Sequence, residues 1–205
     1  MGRHPTFTDD VLLRRASDRL WKDGCPAVSI RDLESSMGVK APSIYRRFGS
    51  RNELLARAID SYTARVVEGR LDRYLGDGPD PLAGLRAFFE SVRVPVGRES
   101  RPRGCLLAMT LAQPEMGDPR IAASVLGGLA AIRRAFAGQL ERAVQAGRLG
   151  PGVDTDALAE SLVASLLGLL NLVRADEAAA GPMIEAIFAS HFPVATDRKE
   201  PAHAR

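Results

Sequence analysis

Residues 29–54 read SIRDLESSMGVKAPSIYRRFGSRNEL, and few folds can use such a run. It predicts two short helices joined by a glycine turn, the second of them basic, with a third helix capped directly afterwards. Ser29 is placed to cap the first helix, and Ile30, Leu33 and Met37 recur along one side of it at helical spacing. Gly38 ends that helix in a left-handed conformation that glycine adopts at little cost. Pro42 opens the next, where its fixed φ suits and its missing N–H is not needed. Ile44 and Phe48, four apart, turn to the core, which sets Ser43, Tyr45, Arg46 and Arg47 on the other side. Lys40, Arg46, Arg47 and Arg51 then bring four positive charges to residues 40–51 with no acid among them. A helix built this way suits the DNA major groove, as the second helix of a helix-turn-helix. Ser29, Lys40, Tyr45, Arg47 and Arg51 are expected at phosphates, which position such a helix without reading sequence. Arginine forking onto guanine is the commonest specific contact, which makes Arg46 the first candidate for base reading. Arg3, in a flexible arm over residues 1–7, is a possible minor-groove contact.

The same stretch resembles the TetR-type bacterial transcription regulators. The resemblance opens with Leu12, Leu13, Ala16, Leu20 and Trp21 ahead of Gly24, and continues through TxxDLxxxxGV-like spacing over residues 29–39 and the segment IYRRF. It closes in GSRNELLARAI, similar to the family's Gly/Pro-Ser-Lys-x-x-Leu entry into a fourth helix. It is close over residues 7–62 and beyond that extends only to a shared helical character. It implies a homodimer with a four-helix interface, double-stranded operator DNA and a small-molecule effector as partners, and Ser43, Tyr45 and Arg46 near base edges. Two positions depart from the pattern. Lys40 stands where a small hydroxyl residue is usual, which removes a side-chain cap, and Arg51 replaces a lysine, a fork for a point charge.

Apart from short loops, the periodicity is helical throughout, and no run of β-branched and aromatic residues reads as a strand. The fold class is therefore all-α, with about nine helices. Thr8 caps the first, with Asp9 and Asp10 in its opening turn. The fourth starts after Ser50 and runs to about Tyr74, linking a head over residues 8–62 to a body over residues 80–192. GDGPDP at residues 76–81 marks the boundary. The body's helices are expected over 82–94, 105–112, 118–147, 154–174 and 182–192, with a break over 95–102 and a bend at Gly127-Gly128. A disordered tail is expected over 193–205.

The net charge of +3 is too small to indicate a polyanion partner, but its distribution is lopsided. Residues 151–190 hold six acids against Arg174 alone, while the N-terminal third is basic, so only one end suits DNA. The most apolar stretch, residues 157–173, is interrupted by Glu160, Ser165 and Gly168 and reads as an interface helix rather than a membrane span. Leu158, Leu162, Leu166, Leu169 and Leu170 on it, with Ile184, Ile187 and Phe188 on the last helix, are expected at a dimer interface, with part of each stripe burying against the chain's own core. Two cysteines are too few for a disulfide framework and fit a reducing cytoplasm.

Phe88, Phe89, Val92, Leu106, Met109 and Met116 form an apolar set that lines either an effector pocket or a plain core, with Gln113 and Asn171 as polar candidates. Such a wall favours a hydrophobic or aromatic molecule. Cys105 follows Arg101, Arg103 and Gly104 at a helix start, where positive charge and amide dipoles favour a thiolate; the resemblance adds thiol sensing of electrophiles or oxidants to a bland reading as a small buried hydrophobe. Cys25 reads as structural. His4, His191 and His203 lie in or near the termini, no carboxylate–histidine set suggests a metal, and no glycine loop cradles phosphate, so neither a cofactor nor an enzyme activity is expected.

Overall fold

A computed structural model describes residues 7–94 and 103–192. The arm carrying Arg3, the break over 95–102 and the tail over 193–205 lie outside the described residues. Within them, α1 (Asp9–Asp23) is capped by Thr8, and α2 (Ile30–Met37) and α3 (Ala41–Phe48) follow as the short pair that the glycine turn requires. Leu12, Ala16 and Leu20 of α1 meet Leu33, Met37, Ile44 and Phe48, all no more than 2% exposed, in one core. That core fixes which side of α3 faces outward.

α4 (Arg51–Tyr62) leaves the head, runs through a π-helical stretch, Thr63–Glu68, and continues as α5 (Gly69–Tyr74). Both flanks of the π stretch keep right-handed helical angles, so the expected single helix to Tyr74 is one rod with wider turns in its middle. The rod is the covalent link between head and body.

The body comprises α6 (Pro81–Glu90), capped by Asp80, then α7 (Leu106–Leu111), α8 (Pro119–Gln145), α9 (Thr155–Ala175) and α10 (Ala180–His191). Short 3-10 turns cover Ser91–Arg93 and Pro114–Gly117. α10 starts two residues ahead of Pro182. α8 runs through Gly127-Gly128 unbroken for 27 residues. Gly128 serves close packing instead: a Cβ there would stand 2.7 Å from Leu107 Cδ1 and 2.9 Å from Thr63 Oγ1. α7 and the π stretch therefore approach α8 as closely as backbone allows. Phe89 stacks on Phe136 at 5.8 Å and meets Phe188 edge-on at 5.4 Å, which ties α6, α8 and α10 together.

The residues expected at a dimer interface are used inside one chain. Leu162, Leu166, Leu169, Leu170, Ile184, Ile187 and Phe188 are at most 7% exposed, and Leu158 is half-buried. The reason is the width of the apolar face of α9, which buries its leucines against α8 and α10. What α9 turns outward is a strip of small and polar side chains, Ala157, Ser161, Ala164, Gly168 and Asn171. α8 and α9 are each long and apolar enough to cross a bilayer by composition, yet they pack on one another.

Candidate nucleic-acid interface

Local chemistry holds α2 and α3 in place. The Ser29 hydroxyl accepts from Asp32 N at 3.2 Å while the Asp32 carboxylate accepts from Ser29 N at 3.0 Å, a reciprocal cap. The Ser29 hydroxyl also donates to that carboxylate, and this bond first, then the Ser29 N–H, pulls the Asp32 carboxyl below its ordinary range. Arg19 joins Asp32 at 3.1 Å and so pins α2 to α1. Gly38 closes α2 at φ 74°, and Arg15 Nη1 donates to the last carbonyl, of Met37, at 2.9 Å. Lys40 gives α3 no side-chain cap, as its identity implies. Glu34 substitutes for it from the preceding helix, accepting from Ala41 N at 2.5 Å. Sequence reasoning missed Glu34, because its partner lies seven residues on and across the turn.

Ile44 and Phe48 are buried, and the opposite side of α3 is open. Tyr45 is 45% exposed, Arg46 and Lys40 are exposed, and Ser43 is half-buried near the start of the helix. Neither cation has a hydrogen bond or ion pair among the described residues. Arg31, on the first turn of α2, is also exposed and unpaired there. It was passed over because its charge is one residue from Asp32, whose carboxylate turns out to be consumed by the cap and by Arg19.

Three of the expected phosphate contacts are spoken for. Arg47 Nη1 donates to Phe7 O at 2.8 Å and to Asp9 at 3.2 Å, so it fastens α3 to the start of α1. Arg51 turns inward: its Nη2 donates to Cys25 O at 2.8 Å and Val28 O at 3.0 Å, with Glu115 of the body at 3.7 Å. One guanidinium nitrogen thus serves two loop carbonyls and stands near an acid of the body, which commits Arg51 to the interior. The Ser29 hydroxyl is engaged in its cap, although the residue is exposed. The outward face thus consists of Lys40, Ser43, Tyr45 and Arg46.

Behind this surface the head meets the body in a polar seam. Gln113 accepts from Cys25 N at 3.3 Å, Asn52 donates to Asp118 at 2.8 Å, and Trp21 donates to Gly104 O at 3.3 Å. Cys25 is fully buried with its thiol 3.7 Å from Thr110 Oγ1, and burial raises its pKa. Gln113, expected in an effector pocket, therefore belongs to the seam, and Met109 reaches toward Gly24 beside it. Met116 sits half-buried in the Pro114–Gly117 turn. Asn171 is exposed, donates to Leu167 O at 2.9 Å and does not line the cavity described next. Leu106 is fully buried, and Phe89 belongs to the stacked aromatic cluster.

Phe88 and Val92 do border a cavity, of about 30 Å³, together with Cys105 and residues of the π stretch. Cys105 is 6% exposed and stands at the cap position of α7. Arg103 lies over the Trp21 ring at 5.4 Å. Among the described residues, no group of three or more His, Cys, Asp or Glu is placed to hold a metal ion.

Comparison with known proteins agrees with this geometry in both halves. Residues 12–58 match the model described as bacterial regulatory proteins, tetR family, and residues 81–187 match the one described as tetracyclin repressor-like, C-terminal domain. Among curated relatives, the HTH-type transcriptional repressor ComR of Escherichia coli K12 is 26% identical over 170 residues, covering 82% of this chain and 80% of that protein. The HTH-type regulator YezE of Bacillus subtilis 168 is 28% identical over 175 residues, covering 85% and 90%. Among solved structures, a cysteine mutant of the regulator CifR in complex with 26-bp operator DNA superposes with a TM-score of 0.76 at 23% identity, covering 93% of this chain and 98% of that one. The reduced form of E. coli NemR superposes at 0.75 with 15% identity, covering 87% and 95%.

Proposed function

The chain belongs to the TetR family of bacterial regulatory proteins, and from that premise we propose a cytoplasmic homodimeric repressor that leaves a palindromic operator when its body binds a small apolar effector or when Cys105 is modified. The head, residues 8–62, reads DNA through α3. The observation that carries this reading is the open side of α3, where Lys40, Tyr45 and Arg46 project unpaired from a helix held rigidly by caps and core. Arg46 is the base reader, Lys40 and Tyr45 hold phosphates, Ser43 lies beside them, and Arg31 adds a further phosphate contact.

The body, residues 80–192, dimerises through the outward strip of α9 and the exposed side of α10. Small side chains there let two helix pairs approach closely, and a twofold axis would set two α3 helices about 34–36 Å apart, one DNA turn. An effector that binds better to a body shape with displaced heads shifts the population away from DNA. The rod of α4, the π stretch and α5 transmits that shift, with the polar seam as its second contact. Cys105 borders the cavity, where an entering electrophile would meet its buried thiol; thiol modification is the proposed second trigger, and the cysteine-mutant and reduced-form neighbours support testing it. Alkylation of Cys105 is expected to lower operator affinity; labelling that leaves affinity unchanged removes this trigger.

The test of the whole reading is a titration of the purified protein against its own upstream intergenic DNA, at two salt concentrations with unrelated competitor. A saturable, competitor-resistant complex with steep salt dependence is expected. Weak binding, equal on both DNAs, would contradict it.

A further inference from the structure

The cavity lies where the rod meets the body. The rod contributes Tyr62, Val66 and Arg70, α6 and the turn after it contribute Phe88 and Val92, α8 and α9 supply aliphatic side chains, and Cys105 closes the near side. At about 30 Å³ it has room for a water molecule and no more. Its lining contains one formal charge, the half-buried guanidinium of Arg70, and no carboxylate. Among the described residues Arg70 has neither ion pair nor hydrogen bond, unlike Arg47, Arg51, Arg65 and Arg86, each of which is matched to an acid. An unmatched arginine beside an otherwise apolar recess is chemically complementary to a hydrocarbon group bearing a carboxylate, which Arg binds as a fork on two oxygens.

We propose that this recess is the effector site and that its ligand is a small apolar carboxylate, held by Arg70, with its hydrocarbon part among Val66, Phe88 and Val92. The proposal rests on the reading of the body as effector-responsive and deepens it by naming the ligand class. Tyr62 stays neutral beside Arg70: burial first, and then the neighbouring Cys105, push its hydroxyl well above the ordinary tyrosine value, so it offers the guanidinium no counter-charge. Admitting a ligand requires a wall to move. One wall is the π stretch, whose wider turns are the local irregularity of an otherwise regular rod. The recess also touches the head through two short contacts. Tyr62 meets the Trp21 ring edge-on at 5.0 Å, and Gly104, next to Cys105, accepts the Trp21 N–H at 3.3 Å. Occupation of the recess therefore acts on the C-terminal end of α1.

The same contacts supply the assay, because Trp21 is the chain's one tryptophan. Octanoate and benzoate are titrated into the intact protein beside octanamide and benzamide, following Trp21 emission and, in parallel, the anisotropy of labelled operator DNA. At least one acid is expected to change emission saturably and weaken operator binding, with its amide about tenfold weaker or worse, the factor that separates charged from neutral hydrogen bonds. Arg70→Gln is expected to lose this preference while keeping the melting temperature. The proposal is overturned if neither acid changes emission, if acid and amide bind equally, or if Arg70→Gln keeps the preference. Failure to bind any operator would instead strike at the repressor reading, and the emission titration would still decide the ligand class.

Discussion

An arginine offers five N–H donors, and what it does depends on how many are filled before a ligand arrives. Arg51 donates to two carbonyls of the α1–α2 loop and stands beside Glu115, whereas Arg46 meets only solvent. Opposite outcomes follow for two variants that look alike in sequence. Arg46→Ala is expected to weaken operator binding by about 1–3 kcal/mol, the range for a bidentate base contact, with no change in melting temperature. Arg51→Ala is expected to lower stability by about 1–3 kcal/mol, because it leaves loop carbonyls without their donor, and to leave the salt slope of operator binding unchanged. Thermal denaturation and a salt series on both variants separate the two roles. Charge counting placed both residues at DNA, since a string of letters does not say which side of a cap an arginine turns to.

The elements themselves were largely legible. Thr8 and Ser29 cap the helices the sequence assigns to them, Ser50, Asp118 and Asp154 cap at the expected starts, and the Gly38 turn stands at the expected left-handed angles. The Asp80 cap, inside the boundary loop, is not among the expectations. The sequence does not carry the π stretch at Thr63–Glu68, because helical periodicity of 3.6 and the occasional wider turn look alike over six residues. Nor does it separate a glycine that bends a helix from one that admits a neighbour. Gly128 is the second kind, and Gly128→Val is expected to destabilise by about 1–3 kcal/mol, since its side chain would have to displace Leu107 and Thr63. A matching substitution at Gly127, where a Cβ meets nothing within 4 Å, is expected to be tolerated in the same melt. The Glu34 cap makes a third case: Glu34→Ala is expected to cost about 1 kcal/mol, the usual loss on removing an N-terminal cap.

At the scale of the molecule, the leucine face of α9 and the outward strip behind it divide the work between folding and assembly. Apolar width told correctly that α9 is buried, but a chain cannot announce whether its burial partner is itself or a copy. With the leucines occupied by α8 and α10, the small-residue strip is the face we propose for the partner subunit. Gly168→Glu is expected to give a folded monomer by light scattering with severely weakened operator binding, whereas a dimer that persists would move the interface elsewhere. In the proposed dimer the two basic heads face the DNA and the acidic C-terminal parts stay off it. The direct test of that arrangement is guanine N7 protection on both strands of the bound operator. Two protected major-groove patches, related by a dyad and about 34–36 Å apart, both lost in Arg46→Ala, are the predicted result; a single patch, or protection that survives Arg46→Ala, would contradict it.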